Sequence, residues 1–356
     1  MKNGILVARG DAEGKNIGDY VQSIAAREFA GADAVYVERE ALDTYREGDV
    51  KVMMNAWFMT HPERFPPTDA IHPLFISFHL RPTVYDKFFT PAAIAYLKAH
   101  APIGCRDLAT VRELKRRGIE AEFTSCITLT LGERFKRKRP NGPPLIVDPY
   151  FLRLPKVKLR RRDIWRVIGV YLYSIPHFFT VRALVRKLKV FRYWPHNRER
   201  RYRWFYAAEF HRVYSPLFSD DFLLSAEYLT HKILKHGAGD EGLEKTAEAM
   251  LERYAGAPFV ITSRLHCAFP CIAMGVPTVV PYHDKMSNGR FDGNIELMNR
   301  VDLGQDWRLV RPDWLKTGDG RIHSAADLPE RNEWRAYAAD LAARCRRFFA
   351  TRGRGE

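Results

Sequence analysis

The chain has 356 residues, of which 46% are hydrophobic and 28% are charged, and its formal net charge at pH 7 is +15. Chains of this length usually form more than one domain, and this composition excludes an intrinsically disordered protein. The five cysteines are odd in number and scattered, which argues against a disulfide framework or a zinc site and favours reduced cytoplasmic thiols.

The first residues, MKNGILVARG, predict a β-strand rather than a secretory signal, because no long apolar run follows them. The longest apolar stretch without charge, Val167–Val181, is short for a membrane-spanning helix, and Pro176 and His177 interrupt it. A spanning segment is therefore not predicted there.

Strands and helices alternate in the N-terminal part of the chain, which predicts an α/β domain over residues 1–135. The predicted strands are Gly4–Ala8, Ala34–Val37, Val50–Met54, Leu74–Phe78, Pro102–Cys105 and one or two strands within Glu122–Leu131. The predicted helices are Gly18–Phe29, Ala92–His100 and a helix that Asp107 caps and that runs to Arg117.

A glycine-containing loop, RGDAEGKNIGD, joins the first strand to the first helix. Loops in this position often contact a phosphate or a nucleotide, although this one lacks both the dinucleotide spacing and the P-loop ending. Its candidate binding residues are Arg9, Asn16, Gly18 and Asp19. A plain strand-to-helix turn capped by Asn16 and Asp19 is the alternative.

A polar segment rich in proline and glycine, Phe135–Pro144, predicts a boundary before a second α/β domain over 144–330. The predicted elements of this part are the strand Leu145–Val147, the helices Tyr202–Tyr214, Phe222–His236 and Asp240–Ala255, and the strands Phe259–Thr262 and Thr278–Val280. Residues 331–356 are predicted to form a C-terminal helix, Glu333–Phe349, and a tail.

The stretch Phe259–Pro281 reads as a strand, a helix and a second strand, which is the repeating unit of a parallel sheet. Ser263 is predicted to cap the helix, and Gly275 is predicted to end it. Ligands bind beyond the carboxyl ends of such strands, where Arg264 and His266 lie beside the predicted helix N-terminus.

Five cations fall at predicted strand ends or in loops, where they suit a ligand with phosphate or carboxylate groups. They are Arg9, Arg106, Arg264, Lys285 and Arg290. His266 is the predicted proton carrier among them, and His79 is a second candidate. The sequence has no serine elbow, zinc spacing or paired metal-binding aspartates, so no metal is predicted. The alternative for His266 is a purely structural cap of its helix.

The excess positive charge is concentrated in an insertion at about 153–203, where sixteen Lys and Arg residues face only Asp163 and Glu199. Aromatic and aliphatic residues are interleaved with these cations, as in amphipathic elements that contact a membrane surface. A solvated basic helical hairpin that packs on its own domain is the alternative. Nucleic acid is disfavoured, because no groove-reading motif accompanies the charge.

Four stretches carry a resemblance to a known family. They are NIGDYVQSIAA (Asn16–Ala26), PLFISFHL (Pro73–Leu80), PIGCRDLATVRELKRRGIEAEF (Pro102–Phe123) with the trailing ITLTL, and VITSRLHCAFPCIAMGVPTVV (Val260–Val280). On these stretches the chain resembles the polysaccharide pyruvyl transferase family. The most specific element is S-R-L-H before a helix that ends in G-x-P, while Ala56 stands where the family has glycine.

The resemblance implies a glycosyltransferase-B-like fold, with two Rossmann-like domains and a cleft between them. It implies that phosphoenolpyruvate is the donor, that no separate cofactor is needed, and that the product is a pyruvyl ketal on a sugar of a cell-surface polysaccharide, such as an exopolysaccharide or capsule, or its precursor. The family's essential arginine and histidine correspond to Arg264 and His266, and Arg106 and Ser263 are expected to help bind substrate.

The expected partners are phosphoenolpyruvate, a sugar acceptor whose linkage to lipid is left open, and an anionic membrane surface at the inner face of the membrane. Two other classes remain open at this point. A glycosyltransferase of the same fold that uses a nucleotide sugar would have a similar basic cleft. A scaffold at the membrane without enzymatic activity would keep its role after loss of Arg264 and His266.

Overall fold

The computed structural model describes residues 1–8, 15–151, 161–191, 202–233, 239–284 and 289–351. The strands in these ranges are β1 (Lys2–Val7), β2 (Lys15–Asn16), β3 (Val35–Glu38), β4 (Val50–Met53), β5 (Trp57–Phe58), β6 (Ile71–Leu74), β7 (His79–Leu80), β8 (Ile103–Cys105), β9 (Ala121–Phe123), β10 (Leu145–Val147), β11 (Glu227–Leu229), β12 (Lys232–Ile233), β13 (Val260–Thr262), β14 (Thr278–Tyr282) and β15 (Asn299–Asp302).

The α-helices of the same ranges are between 4 and 17 residues long. The helices are α1 (Ile17–Ala30), α2 (Tyr85–Phe88), α3 (Pro91–Ala99), α4 (Leu108–Arg116), α5 (Arg161–Ser174), α6 (Phe178–Lys187), α7 (Tyr202–Tyr214), α8 (Asp220–Ser225), α9 (Asp240–Gly256), α10 (Leu265–Ala273) and α11 (Trp334–Ala350).

Two parallel sheets organise these elements. The N-terminal sheet has the strand order β3-β1-β4-β6, and the C-terminal sheet has the order β11-β10-β13-β14-β15. Neighbouring strands within each sheet run parallel. The predicted α/β class is confirmed, and β15 is an added edge strand that the sequence pattern did not indicate.

Local sequence signals set several helix boundaries as predicted. Asn16 and Asp107 cap α1 and α4, where each side chain accepts a hydrogen bond from a backbone N–H of the first turn. Gly275 follows α10 with a φ of 77°, a left-handed conformation that glycine adopts without steric cost. All five cysteines are buried and free, which confirms the prediction that they form no disulfide.

The strand predicted at Leu74–Phe78 is wrong in position, because β6 spans Ile71–Leu74 and the chain then bends. Ser77 has a φ of 54°, which a continuous strand does not allow. Its backbone N–H donates to Thr124 Oγ1 instead of a neighbouring strand, and Phe78 makes only an isolated bridge to Cys105. The bend turns His79 away from the line of β6.

Of the one or two strands predicted within Glu122–Leu131, the structure has one, β9, which ends at Phe123. Ile127–Glu133 is a 3-10 helix whose apolar residues are buried in the hydrophobic clusters. One predicted helix is wrong. The helix expected at Phe222–His236 ends at Ser225 and gives way to β11 and β12. Glu227–Leu229 is used to complete the edge of the C-terminal sheet, so tertiary pairing outweighs the local helical pattern.

One hydrophobic cluster joins the two sheets. Val21 and Ile24 of α1 lie in the same cluster as Leu251 of α9, Cys271 of α10 and Val260 of β13. α11 enters it through Leu341 and Cys345, so the C-terminal helix returns to the packing beside the N-terminal sheet. The sheets are therefore fixed relative to one another through a common core, and a second cluster holds α5, α6 and α7 against the C-terminal sheet.

No single helix among those described combines the length and hydropathy that a membrane crossing needs, although α5 and α6 meet the same criterion as a bent pair.

Gly132 provides a test of the contact between the 3-10 helix and α10. A Cβ at this position would lie 2.1 Å from the carbonyl oxygen of Ala273, and the helix backbone cannot yield. We expect Gly132→Ala to lower the free energy of unfolding by about 3 kcal/mol, at the upper end of overpacking effects. Urea unfolding measures this loss.

Gly169→Ala is the matched control, since Gly169 lies inside α5 with no atom within 4 Å of the added Cβ. There the change should be neutral or stabilising by up to ~1 kcal/mol. A Gly132→Ala protein as stable as the wild type would contradict the packing described here.

Candidate active site

A cavity forms where the carboxyl ends of strands from both parts of the chain meet the N-termini of α1 and α10. Among the described residues, its walls carry six cations and one carboxylate, Asp19. It is lined by Ala8, Asn16, Gly18, Asp19, Tyr20, Arg39, Trp57, His79, Arg81, Arg106, His231, Lys232, Ser263, Arg264, Leu265, His266, Arg290 and Phe291. This is the location that the topology of parallel sheets predicts for a ligand.

Arg264 enters the cavity at the N-terminus of α10, where it occupies the N-cap position itself. The prediction that Ser263 caps this helix is wrong, because the Ser263 hydroxyl donates to the carbonyl of Pro281 and accepts from the N–H of Tyr150. Ser263 therefore ties the site to β14. The first residues of α10, Leu265 and His266, line the cavity, so this helix N-terminus lies at the site.

Asp148 fixes the guanidinium of Arg264. Its Oδ2 accepts from Arg264 Nε at 3.0 Å and from the backbone N–H of His231 at 2.9 Å. Asp148 is buried at the end of β10, whereas the Arg264 side chain is 30% exposed. The carboxylate thus orients the arginine through Nε, which leaves its terminal nitrogens on the cavity side for a ligand.

His266 lies two residues after Arg264, in the first turn of α10, and contacts Arg106. The distance from His266 Nε2 to Arg106 Nη1 is 3.4 Å. On the other side of the ring, a Cβ added to Gly18 would lie 3.1 Å from His266 Nδ1. Glycine at position 18 therefore allows the start of α1 to approach the imidazole closely.

Arg106 is a buried cation, with only 3% of its surface exposed. Its backbone is held by the side chain of Asn294, which donates to the Arg106 carbonyl at 2.8 Å. Its Nε is buried and has no hydrogen-bond partner within the ranges that the structure describes. A buried guanidinium is costly unless it is paired, so this side chain is prepared for an anion.

The local electrostatics favour neutral imidazole at His266. Removal from water lowers the His266 pKa well below its usual value, and the nearby Arg106 guanidinium lowers it further. Burial also lowers the pKa of Arg106. Near neutral pH, His266 is therefore a proton acceptor, and a bound anion would raise its pKa by offsetting the arginine charge.

His79 is held in one tautomer by Asp107. The distance from His79 Nδ1 to Asp107 Oδ2 is 2.5 Å, and Asp107 also accepts from the backbone N–H and the hydroxyl of Thr110. With Nδ1–H donating to the carboxylate, Nε2 carries the lone pair, and this buried atom has no partner among the described residues. Burial lowers the His79 pKa to about 4, and Arg106 adds to the effect.

The sequence reasoning missed a group of residues around Trp57. The guanidinium of Arg81 lies 4.0 Å from the centre of the Trp57 ring, and that of Arg39 lies 4.9 Å from it. Arg39 also donates to Glu40 at 2.7 Å. A signal was present for Arg39, because it directly follows β3 and so obeys the same strand-end rule as the predicted arginines.

His231 and Lys232 were also missed, because they lie in a segment predicted to be helical. Instead, β12 pairs antiparallel with β2, and the His231 carbonyl accepts from the N–H of Ile17 at 2.9 Å. This pairing brings the start of α1 to the C-terminal sheet. His231 Nε2 is 2.7 Å from the hydroxyl of Tyr254.

The structure brings together nine of the eleven residues predicted to act in the site. They are Asn16, Gly18, Asp19, His79, Arg106, Ser263, Arg264, His266 and Arg290. The other two, Arg9 and Lys285, lie outside the described residues. The shared position supports a common ligand site, while the individual roles of these residues stay predictions.

The buried neutral state of His79 predicts a pH-dependent stability. Its folded pKa of about 4 lies below the unfolded value of 6.5, so stability present above pH 6.5 is lost as the pH falls toward 4. One such group contributes a slope of about 1.4 kcal/mol per pH unit in this window. Urea unfolding at pH 7.5, 6.5 and 5.5 measures it.

We expect His79→Asn, which keeps a donor for Asp107, to be less stable at pH 7.5 but to have a shallower pH dependence. His323→Asn is the control, since His323 is exposed. An unchanged slope in His79→Asn would show that His79 is not the group responsible.

Comparison with known families gives one clear match. The model of the family described as polysaccharide pyruvyl transferase matches residues 73–284, which is more than half of the chain. This range contains His79, Arg106, Asp148, Arg264 and His266, whereas the α1 and Arg290 sides of the cavity lie outside it. No curated protein matches the chain significantly. Because the family model covers more than half of the chain, including Arg106, Arg264 and His266, the chain belongs to the polysaccharide pyruvyl transferase family.

Proposed function

We propose that the protein transfers the pyruvyl group of phosphoenolpyruvate to two hydroxyls of a sugar, forming a pyruvyl ketal and releasing phosphate. The sugar belongs to a cell-surface polysaccharide or its precursor. The observation that carries this proposal is the contact of His266 with the buried, incompletely paired Arg106 in a cation-rich cavity of a pyruvyl transferase family member. No separate cofactor is required, because the donor itself supplies the pyruvyl group.

The cation set suits both anionic groups of phosphoenolpyruvate. Arg106, Arg264 and His266 line the same cavity. Arg106 is buried and contacts His266, and Arg264 is held by Asp148. The N-terminus of α10 adds backbone N–H donors beside them. A phosphate and a carboxylate on one small molecule match this arrangement, since guanidinium groups bind both in a bidentate manner.

The chemistry requires two hydroxyls and one proton carrier. The first hydroxyl adds to C2 of phosphoenolpyruvate, its proton moves to C3, and the methylene becomes a methyl group. The C2–O bond to phosphate then breaks, and the second hydroxyl adds to C2 while its proton leaves with phosphate. Charge builds up on the departing phosphate, where Arg106 and Arg264 would stabilise it.

His266 would carry the first proton. As neutral imidazole in the empty site, it would accept the hydroxyl proton and then, as imidazolium, donate it to C3. The negative charge of bound phosphate would stabilise the imidazolium, which Arg106 destabilises in the empty site. One histidine would thus act as base and acid in succession.

The cavity cations other than Arg106 and Arg264 favour an acceptor that also carries negative charge. Arg39 and Arg81 flank Trp57, and Lys232 lies on the same cavity wall. Phosphoenolpyruvate alone does not need five arginines and a lysine. An acceptor sugar bearing a diphosphate, either linked to lipid or as a nucleotide sugar, would use the remaining charge.

We further propose that the two sheets are the Rossmann-like halves of a glycosyltransferase-B-like arrangement, with domains at 1–135 and 144–330 and the cavity as the cleft. The sheets' parallel topology supports this. The enzyme would act in the cytoplasm at the inner face of the membrane, where a lipid-linked precursor is present. A glycosyltransferase that uses a nucleotide sugar remains the alternative reading of the same cavity.

Ligand-induced stabilisation separates these two functions. Phosphoenolpyruvate at ~100 times its Kd should add about 2.7 kcal/mol to the free energy of unfolding and raise Tm. Arg264→Ala should abolish this shift, while Arg335→Ala, at an exposed position on α11, should retain it. A shift with nucleotide sugars but not with phosphoenolpyruvate, followed by sugar transfer, would replace the pyruvyl assignment with glycosyl transfer.

The role of His266 is tested by turnover. We expect His266→Ala to lower kcat by roughly 10²–10⁴, as for loss of a general acid–base group, while the phosphoenolpyruvate-induced Tm shift persists. Phosphate release with a sugar acceptor measures kcat. Near-normal turnover in His266→Ala would leave the histidine as a structural group of α10 and would require another proton carrier.

A further inference from the structure

The pair α5 and α6, here called the hairpin, exposes an unusual amount of apolar surface. Nine of the eleven large hydrophobic side chains that are exposed in the described ranges lie between positions 164 and 190. They are Ile164, Trp165, Ile168, Tyr171, Leu172, Ile175, Phe178, Phe179 and Val190. Trp165 and Phe179 are 78% and 82% exposed, so these rings are almost entirely in solvent. Apolar patches of this kind mark interaction surfaces.

The exposed residues of α5 recur every three or four positions and form one helix face. In a soluble domain such a face packs on the core. Here the core side of α5 is provided by other groups: Val170 is buried in the cluster with α7, and Arg166 donates to Glu209 of α7 at 2.8 Å. The outward apolar face is therefore additional to the face that holds the helix in the fold.

The hairpin is held rigidly at its base. Its two helices meet at 109°, and the rings of His177 and His211 lie 4.6 Å apart at the turn. Asp220 joins the elements there, because it is 2.8 Å from His211 Nε2 and accepts from the Thr180 hydroxyl at 2.6 Å. Trp204 Nε1 donates to Ser174 Oγ. The exposed apolar face is thus a fixed feature of the fold.

Exposed cations accompany the apolar face. Arg182, Arg186 and Lys189 are exposed on the second half of the hairpin, and the surrounding sequence at 153–203 holds sixteen Lys and Arg residues. Lys187 belongs to the fold instead, because its Nζ donates to the carbonyl of Ala226 at 2.9 Å. Apolar and aromatic residues beside cations are the composition of helices that lie in the interface of anionic membranes.

We propose that the hairpin inserts its apolar face into the headgroup and upper acyl region of an anionic lipid bilayer, while its cations contact the lipid headgroups. Charge favours lipid over a second copy of the chain as the occupant. A symmetric dimer through this face would bring two strongly basic segments together, whereas an anionic surface neutralises them.

The hairpin also has a defined relation to the proposed active site. Among the described elements, α5 is the next helix after β10, and Asp148, the partner of Arg264, directly follows β10. Bilayer insertion would hold the carboxyl end of β10 near the membrane, which suits a lipid-linked acceptor. That link to the acceptor rests on the proposed function, but vesicle binding itself does not. The membrane proposal and the proposed function can therefore fail independently of one another.

The test is vesicle co-sedimentation of the full chain. Phosphatidylcholine vesicles with and without ~30% phosphatidylglycerol, a composition chosen to give an anionic surface, are compared at low and high salt. The wild type should bind the anionic vesicles, and binding should weaken with salt. Trp165→Ser with Phe179→Ser should lower the partition coefficient roughly tenfold or more, since each change removes a large inserted side chain.

A second variant tests the charge. Arg182→Glu with Arg186→Glu should also lower binding to anionic vesicles roughly tenfold, because each cation near an anionic surface contributes to binding. The matched controls are Val310→Ser and Lys316→Glu, which alter an exposed apolar residue and an exposed cation outside the hairpin. Both should bind like the wild type, and urea unfolding checks that all variants are folded.

Three outcomes would overturn the proposal. One is absence of vesicle binding by the folded wild type. Another is binding that the hairpin variants retain. The third is a wild-type dimer, seen by light scattering, that the Trp165→Ser and Phe179→Ser changes dissociate and that added vesicles do not dissociate. This result would assign the apolar face to a second copy of the chain.

Discussion

The site depends on positive charge that is held away from water. Arg106 is buried with an unpaired Nε, and it lies 3.4 Å from His266. A desolvated guanidinium is stabilised strongly by an anion, and it lowers the proton affinity of any imidazole beside it. The two effects together make the cavity favourable for an anion and favour the neutral imidazole of His266.

Contacts within the fold hold the charged groups of the cavity in position. Asp148 holds Arg264 from the C-terminal sheet, Asn294 holds the backbone of Arg106, and Gly18 lets α1 approach the imidazole. These contacts come from distant parts of the chain, and the hydrophobic cluster shared by the two sheets fixes their relative positions. Small losses of packing between α1, α9 and α10 should therefore affect the site without touching a residue that lines it.

The hairpin has one face that packs on the fold and another that is exposed. Its inner contacts, such as Arg166 with Glu209, keep it in the fold, and its outer face is free to bind. The amphipathic pattern alone left open whether the apolar face packs inward or faces outward. The structure places Trp165 and Phe179 in solvent, and it removes Lys187 from the cations available to a partner.

The α/β class, the strand–helix–strand unit around Arg264 and His266, and the strand-end or loop positions of three of the six described cations that line the cavity could be predicted from the sequence, because alternating elements, caps and glycines are local signals. Prediction from the sequence failed where tertiary contacts override local preference. Glu227–Leu229 pairs as a strand, and the chain bends at Ser77. The Ser263 hydroxyl donates to the carbonyl of Pro281 instead of capping its own helix. Only the tertiary structure decided that Arg106 is buried against His266, that Trp57 lies beneath Arg81, and that His231 and Lys232 join the site. Burial and proximity between residues far apart in the chain depend on how the elements pack together, which no short stretch of sequence encodes.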